Sequence, residues 1–427
     1  MNKVIKYRRE FHKYPEVGWR EYRTSARIAE ILENMGYNVL MGPDVVNIES
    51  IGNPEKLTED EIKVEIDRAE SEGALKKYLE KSKGYPGVIA ILDTERPGPI
   101  TAFRFDMDCL PYQEPKKSGF RPYDEEYISV HPDHVHACGH DGHISIGLGI
   151  AEELLKIKDK LCGKIKLIFQ PAEETFYGAQ SIVDKGHLDN VKYFIALHLA
   201  LSYKNSPLPS NTMVCGCKDF LSDRQLDVYF NGKSAHPAGA AQEGKNALLG
   251  ACSAALNLHA IAPHEEGLSR INVGELHAGV CANTIAPNAM LRLEYRGETV
   301  NISKYLGQRV EQCIEGAATS YDLKTEIVDY GEVPAAKSDD ELMEIIYDAA
   351  QKVDWFKDVH FEGNVGGTDD ASVMILKAQE NGGFGTYVGI GTDTTNTLHN
   401  AEFDFDEDCL MASVNLCIHA LENIHKK

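Results

Sequence analysis

The chain has 427 residues, of which 43% are hydrophobic and 26% charged, and its 44 basic against 66 acidic residues give a formal net charge of −22 at pH 7. This length predicts two domains, and the negative charge argues against a nucleic acid partner, because phosphates would be repelled. No apolar run reaches the ~18 residues of a membrane helix, no signal-peptide core is visible, and the ten cysteines lack framework spacing, so a cytoplasmic protein without membrane partners is expected.

The first part of the chain predicts two helices and then a charged segment. Apolar residues recur at helical spacing in residues 20–36, and residues 2–13 also read as a helix. Residues 55–83 are densely charged, and Thr58 has capping-box spacing to Glu61. We predict a helix on the surface here, either as a solvated decoration or as a cover for a functional site.

Two strands follow, at residues 87–93 and 100–105, and the second ends in two carboxylates, Asp106 and Asp108. In open α/β sheets the carboxyl ends of strands are where sites are built. Asp108 is therefore predicted to orient a metal-bound histidine. The plainer alternative is that one of these carboxylates caps a helix.

Residues 136–143, His-Ala-Cys-Gly-His-Asp-Gly-His, are the densest group of potential ligands in the chain. A zinc- or manganese-type ion needs thiolate, imidazole and carboxylate ligands that converge within a few ångströms. Cys138 and His140 are two residues apart, so in an extended or turning backbone their side chains can point the same way. The alternative is a polar loop of solvated histidines, which the further ligands along the chain argue against.

More candidate ligands follow later predicted strands. The strand at 163–169 leads to Glu173 and Glu174, of which one could bind a metal while the other acts as general base. A glutamate pair is also common at a helix start, where the dipole favours acids. His198 follows a strand at 193–197, and His399 lies in the loop behind a strand at 385–391.

The middle of the chain changes pattern to the order β-α-β-β-α-β, which is typical of a ferredoxin-like domain. We predict an α/β catalytic domain in two parts, residues 1–218 and 333–427, with the ferredoxin-like domain inserted at 219–332. The predicted elements of the insertion are strands at 226–230, 270–276, 290–296 and 323–330 and helices at 244–261 and 302–321.

Three residues of the insertion could contact a substrate. His236, in a loop after the first strand, could donate to the oxyanion of a tetrahedral intermediate. Asn283 and Arg296 could hold a substrate carboxylate, for which the arginine fork is suited. The alternatives are an exposed histidine, an ordinary loop amide and a solvated charge, and the sequence leaves both interpretations open.

Together these motifs resemble the metallo-amidohydrolase branch of the aminoacylase/carboxypeptidase family of zinc peptidases. The resemblance implies a metallopeptidase-like α/β domain with a mixed central sheet, and an inserted domain that serves as lid and dimerisation surface. The residues that carry it are 103–108, 136–143, 170–174, His198, residues 234–236 and His399-Asn400.

The resemblance also implies a site with two divalent metal ions, manganese or zinc. Glu173 matches the general base of the family, Asp108 its orienting carboxylate, and His236, Asn283 and Arg296 its substrate-binding groups. A homodimer through the inserted domain is implied, in which such a histidine can reach the partner's active site. The implied metal ligands are Cys138, His140, Glu174, His198 and His399.

The expected activity is hydrolysis of the amide bond of a small N-acyl amino acid, with preference for an aroyl or aminobenzoyl group on glutamate. Residues 367–370, Gly-Thr-Asp-Asp, depart from the family's Gly-Ser-Glu-Asp, and residues 201–210 form a longer segment than usual, so another acyl-amino acid or a dipeptide stays open. Two further alternatives are one member of a hetero-oligomer that needs a second, related chain, and a thiol hydrolase with Cys138 as nucleophile.

Overall fold

The computed structural model describes residues 2–51, 56–204 and 206–426. The chain divides into two compact units, one formed by Met1–Lys218 with Lys337–Lys427 and the other by Asp219–Ala336. The predicted insertion ended at residue 332, inside the last strand of the second unit, which continues to Val333.

The described residues form helices and strands with the following bounds. The helices are α1 (Lys3–Lys13), α2 (Tyr22–Asn34), α3 (Glu59–Ser71), α4 (Lys76–Ser82), α5 (Arg121–Asp124), α6 (His140–Ile157), α7 (Gly178–Asp184), α8 (Ala247–His259), α9 (Val300–Ser320), α10 (Asp340–Ala350), α11 (Ala371–Glu380) and α12 (Asp408–Ile424). The strands are β1 (Asn38–Met41), β2 (Val88–Asp93), β3 (Ile100–Asp106), β4 (Lys164–Gln170), β5 (Tyr193–Leu199), β6 (Ser202–Tyr203), β7 (Ser206–Pro207), β8 (Thr212–Val214), β9 (Asp223–Asn231), β10 (Ser269–Ala278), β11 (Asn288–Gly297), β12 (Lys324–Val333), β13 (Asp358–His360) and β14 (Phe384–Ile390).

The first unit is built on an eight-stranded mixed sheet in the order β1-β2-β4-β3-β5-β14-β8-β13. Strands β4, β3, β5 and β14 are parallel neighbours. Their carboxyl ends therefore lie along one edge of the sheet, where polar residues from distant parts of the chain can meet. The predicted α/β fold with a mixed central sheet is confirmed.

Helix α6 packs closely on this sheet and begins at the ligand-rich motif. Gly147 faces the sheet, where a Cβ atom would lie 2.6 Å from the Phe105 ring, so only glycine allows this approach. Gly139, directly before the helix, has a φ of +86°, a left-handed conformation that glycine adopts without strain. The motif therefore turns sharply into the helix, with His140 as its first residue.

The second unit is a four-stranded antiparallel sheet in the order β10-β11-β9-β12, with helices α8 and α9. Its core alternates along the strands, since Leu226, Val228 and Phe230 of β9 are all buried. They pack with buried residues of α8 and α9, among them Ala251 and Ile314.

The charged segment predicted at 55–83 forms two helices instead of one. Its first residue, Glu55, lies outside the described residues. Thr58 and Glu61 form the predicted capping box at the start of α3, and the helix ends before Gly73, whose φ of +94° interrupts the helical path. The C-terminal helices α10, α11 and α12 were not predicted. In the described part of the chain, no helix is both long and apolar enough to cross a membrane.

His12 of α1 lies fully buried between two carboxylates. Its Nδ1 is 2.8 Å from Asp141 and its Nε2 is 2.8 Å from Glu114. Because carboxylates accept hydrogen bonds, both ring nitrogens donate and the ring is an imidazolium. Burial lowers the pKa of His12, but Glu114 and Asp141 outweigh that effect and raise it to about 9.

This raised pKa predicts a loss of stability at alkaline pH. A group whose pKa is higher in the folded chain stabilises it fully below the unfolded value of ~6.5, and the effect disappears as the pH rises through 9. We expect the free energy of unfolding in urea to fall by on the order of 3 kcal/mol between pH 6.5 and 9.5 from this group alone. A His12→Gln variant should show a correspondingly flatter pH dependence, and an equal slope in both proteins would contradict the assignment.

Candidate metal centre

The four parallel strands bring the predicted ligands to one edge of the sheet. Strand β3 leads to Asp108, β4 to Glu173 and Glu174, and β5 carries His198 near its carboxyl end. Across the sheet, β14 precedes the loop of His399, whose backbone N–H donates to the carbonyl of Ala137 at 2.8 Å. Residues that are far apart in sequence thus converge because of strand order.

His140 presents a free lone pair at the centre of this group. Its Nδ1 is 2.9 Å from the backbone carbonyl of Asp108, and since a carbonyl only accepts, Nδ1 carries the proton. The unprotonated Nε2 lies 3.9 Å from a Glu173 oxygen and 4.0 Å from Glu174 Oε1. A neutral imidazole with this tautomer is the form that binds a metal, and its second nitrogen is fixed as outer-shell partners usually fix it.

Cys138, His198 and His399 complete the set. His198 Nδ1 donates to the carbonyl of Leu199, which leaves Nε2 3.5 Å from the Cys138 sulfur. His399 Nε2 lies 3.6 Å from Glu174 Oε2, on the half-exposed side of the site. Ligand atoms of Cys138, His140 and Glu174 all lie within 4.8 Å of one another.

Several buried atoms of this group are without hydrogen-bond partners in the described ranges, namely His140 Nε2, Glu174 Oε1 and Asp108 Oδ1. Buried polar atoms are rarely left unpaired, because doing so costs about 1–3 kcal/mol each. A divalent cation would satisfy the imidazole and the carboxylate together, and thiol, imidazole and carboxylate are its usual ligands. The residues present therefore fit a metal ion.

The electrostatics of the site also call for a cation. Burial, and then the carboxylates of Glu174 and Glu173, raise the pKa of the Cys138 thiol well above its usual value. Burial is also the main reason why the pKa of Glu174 rises to about 7. For His140, burial lowers the pKa, but Asp106 and Asp108 raise it to about 10. In the absence of a cation, protons would have to neutralise this group.

A second histidine of the motif, His143, is not available as a ligand. Its Nδ1 bonds Asp106, and its Nε2 accepts the backbone N–H of Leu199 at 3.0 Å. Asp106 is itself bonded by the guanidinium of Arg104. The grouping of Asp106 and His143 with His140 and His198 thus supports the site from below, because its acceptors are already engaged.

Arg104 organises a buried network that the sequence did not predict. This fully buried guanidinium lies 3.0 Å from Asp369 and 2.9 Å from Asp370, besides its bond to Asp106. Burial raises the pKa of Asp370 to about 7. Ligand atoms of Asp369 and Asp370 lie within 4.8 Å of Glu173, so the segment that departs from the family pattern adjoins the predicted general base.

Left-handed backbone is concentrated at the ligand-bearing loops. Ala172 (φ +55°) and Phe176 (φ +65°) flank the glutamate pair, Ala200 (φ +57°) follows His198, and His399 itself has φ +61°. Such conformations are uncommon for residues other than glycine and persist where the surrounding structure holds them. The loops are thus held in fixed, strained shapes around the site.

The predicted substrate residues lie in the second unit. His236 is exposed, and its Nδ1 accepts the N–H groups of Ala238 and Gly239 at 3.2 and 3.0 Å. Asn283 is exposed and accepts a bond from Cys281. The guanidinium of Arg296 is 2.9 Å from Glu294 and 3.0 Å from Asp223.

An α/β sheet with thiol, imidazole and carboxylate ligands gathered at its carboxyl edge is the architecture of a metallohydrolase. The chain belongs to peptidase family M20/M25/M40, whose sequence profile matches residues 102–423. The predicted family resemblance is confirmed.

Its relatives are similar over nearly the whole chain. It is 40% identical to one of the named subunits of p-aminobenzoyl-glutamate hydrolase of Escherichia coli, covering 96% of this chain and 93% of that one. It is 38% identical to indole-3-acetyl-aspartic acid hydrolase of Enterobacter agglomerans, with the same coverage. Among solved structures, an aminobenzoyl-glutamate utilization protein of Klebsiella pneumoniae superposes with a TM-score of 0.80 at 34% identity, covering 98% of this chain and 96% of that chain.

A dinuclear metal-binding peptidase of the M20 family from Bacillus subtilis shares the fold, with a TM-score of 0.71 at 22% identity and coverage of 99% and 98%. The family and its hydrolase relatives identify the chain as a metal-dependent amidohydrolase. The predicted enzyme class is thereby confirmed.

Proposed function

We propose that this enzyme hydrolyses the amide bond of N-acyl amino acids, most readily an aroyl group on an acidic amino acid such as p-aminobenzoyl-glutamate. The observation that carries the proposal is the unprotonated Nε2 of His140, within 4.0 Å of both Glu173 and Glu174. It combines a metal ligand set with a carboxylate beside it. The substrate class is supported by the hydrolases of aminobenzoyl-glutamate and indoleacetyl-aspartate at 40% and 38% identity.

Two divalent ions, manganese or zinc, would be held by five residues. When bound, such ions polarise a carbonyl and lower the pKa of water. The thiol favours zinc, while the carboxylate and imidazole content suits manganese equally. The proposed ligands are Cys138, His140, Glu174, His198 and His399, oriented by Asp108.

Glu173 is proposed as the general base. Burial, followed by the charges of Asp369 and Glu174, raises the pKa of Glu173 well above its usual value, which suits a carboxylate that must accept and release a proton. It takes a proton from the attacking water while oxygen bonds the acyl carbon. It then passes that proton to the amide nitrogen as the C–N bond breaks, which yields a free acid and a free amino acid.

The second unit is proposed as a ferredoxin-like lid that supplies substrate contacts. Its element order and its strand order β10-β11-β9-β12 support this interpretation. Because His236 Nδ1 accepts two backbone N–H groups, its Nε2 carries the proton and is the donor that an oxyanion requires. Asn283 and Arg296 are proposed to hold the substrate carboxylate, and Arg296 would share its guanidinium with Glu294 and Asp223.

The assembly is proposed to be a homodimer through the second unit. Helix α8 exposes Leu248, Leu249 and Leu256, the last by 75%, and large exposed apolar side chains of this kind are typical of interfaces. A complex with a second, related chain is the alternative, since the name of the Escherichia coli relative describes it as one subunit of its enzyme. A cytoplasmic location is proposed because all ten cysteines, each within the described ranges, are free thiols.

The proposal predicts metal-dependent turnover of p-aminobenzoyl-glutamate by the purified chain. We expect activity to disappear after chelation and to return when manganese or zinc is added, with release of p-aminobenzoate and glutamate measured by chromatography. N-acetylcysteine and a dipeptide serve as comparison substrates. Turnover of these but not of the aroyl substrate would contradict the substrate class, and turnover only with an added homologous chain would point to the hetero-oligomer.

A further inference from the structure

The turn between α1 and α2 contains two buried glutamates that the mechanism does not use. Glu16 is 1% exposed and Glu21 is fully buried. Glu16 is explained by the fold, because its carboxylate accepts the N–H groups of Arg23 and Thr24 in the first turn of α2 and pairs with Arg68 of α3. Glu21 precedes α2, but within the described chain its side chain makes no capping bond to that helix.

Glu21 bonds instead to the loop that carries the predicted base. Its Oε1 accepts the backbone N–H of Ala172 at 2.7 Å, directly before Glu173 and Glu174. Ala172 has a left-handed φ of +55°, an unfavourable conformation for alanine that requires support from its surroundings. The bond from Glu21 fixes the orientation of that peptide.

The same turn also contacts the loop of Asp108. Val17 forms an isolated parallel bridge with Cys109, whose N–H donates to the carbonyl of Glu16 at 2.9 Å. Gly18 packs on Ala172 so closely that a Cβ atom would lie 3.2 Å from its Cα. The two loops are joined to each other as well, because the N–H of Glu174 donates to Asp108 at 3.0 Å.

We propose that Glu21 is a positioning residue for the metal centre: by holding the N–H of Ala172 it keeps Glu173 and Glu174 in place. This inference rests on the proposed function for the role of Glu173, but its effect on metal binding does not depend on the substrate. Arg68 fixes the opposite side of the turn through Glu16, which gives the charged α3 helix a part in supporting the centre.

The chemistry of Glu21 indicates which variant should preserve this role. Burial raises the pKa of Glu21 well above its usual value, and the Asp108 carboxylate raises it further, so the side chain is a neutral acid at pH 7. Its Oε2 has no hydrogen-bond partner in the part of the chain that the structure describes. Glutamine has nearly the same shape and keeps an oxygen acceptor for Ala172, whereas alanine removes it.

The test compares Glu21→Ala with Glu21→Gln. We expect Glu21→Ala to weaken manganese and zinc binding about 10–100-fold, as loss of outer-shell support usually does. The same variant should lower kcat at saturating metal with little change in KM. Glu21→Gln should remain within about threefold of wild type in both, and metal affinity is measured by calorimetry on the chelator-treated full chain.

Asp339→Ala is the matched control, because Asp339 accepts the N–H of Gly385 at 2.7 Å, at the opposite, amino-terminal end of β14. It should lower the melting temperature without changing metal affinity. Wild-type metal affinity and kcat in a folded Glu21→Ala chain would overturn the proposal, as would equal defects in Glu21→Ala and Glu21→Gln. If wild type fails to hydrolyse any N-acyl amino acid, the proposed function fails, while the metal-affinity comparison still decides the role of Glu21.

Discussion

Replacing Glu173 with glutamine is expected to lower kcat by about 10²–10⁴-fold while bound metal and KM stay near wild type. Glutamine keeps the shape of the side chain but cannot take a proton from water. The position of Glu173 supports this role, since it is grouped with Asp369 and Asp370, whereas Glu174 is grouped with Cys138 and His140. Proton transfer is therefore lost and the ligand set is kept.

The neighbouring variant Glu174→Gln provides the contrast. It removes a charged ligand beside His140 and His399, so both metal content and activity should fall. Steady-state kinetics on p-aminobenzoyl-glutamate, with metal content by mass spectrometry, separates the two outcomes. If Glu173→Gln lost the metal and Glu174→Gln kept it, the two roles would be exchanged.

Local sequence patterns were sufficient to predict the positions from which the site is built. The strands ending near Asp106, Gln170 and Leu199 were predicted from apolar runs followed by polar residues, and the structure places these ends side by side. The capping box of Thr58 and Glu61 was likewise visible because it depends on residues three positions apart. Such signals are local, and the sequence displays them directly.

Partnerships across the chain could not be predicted in this way. Arg104 was part of a quoted motif, yet its role comes from Asp369 and Asp370, which follow β13 far along the chain. His143 could not be separated from the ligands by spacing, because only its bonds to Asp106 and Leu199 show that both nitrogens are engaged. The support that Glu21 gives to Ala172 depends equally on a contact between distant loops.

Replacing His140 with alanine is expected to remove bound metal and to lower activity by roughly 10³-fold or more, because metal polarisation supplies several kcal/mol of transition-state stabilisation. The reason is geometric: Nε2 of His140 lies between Glu173 and Glu174 and has no other hydrogen-bond partner in the described chain. His419→Ala is the control, since this partly exposed histidine of α12 pairs only with nearby Glu422 among described residues. It should leave metal content and turnover unchanged.

The same variant distinguishes a metal centre from a thiol hydrolase. If Cys138 were the nucleophile, its thiolate would have to form beside Glu173 and Glu174, yet burial and these carboxylates raise the pKa of the thiol well above its usual value. Only a cation offsets those charges, so Cys138 should become reactive toward iodoacetamide after chelation only at strongly alkaline pH. Activity that survives both chelation and His140→Ala, but is lost on alkylation of Cys138, would establish the thiol mechanism. Loss of activity with loss of metal in the His140→Ala variant would instead assign Cys138 and His140 to a shared metal centre.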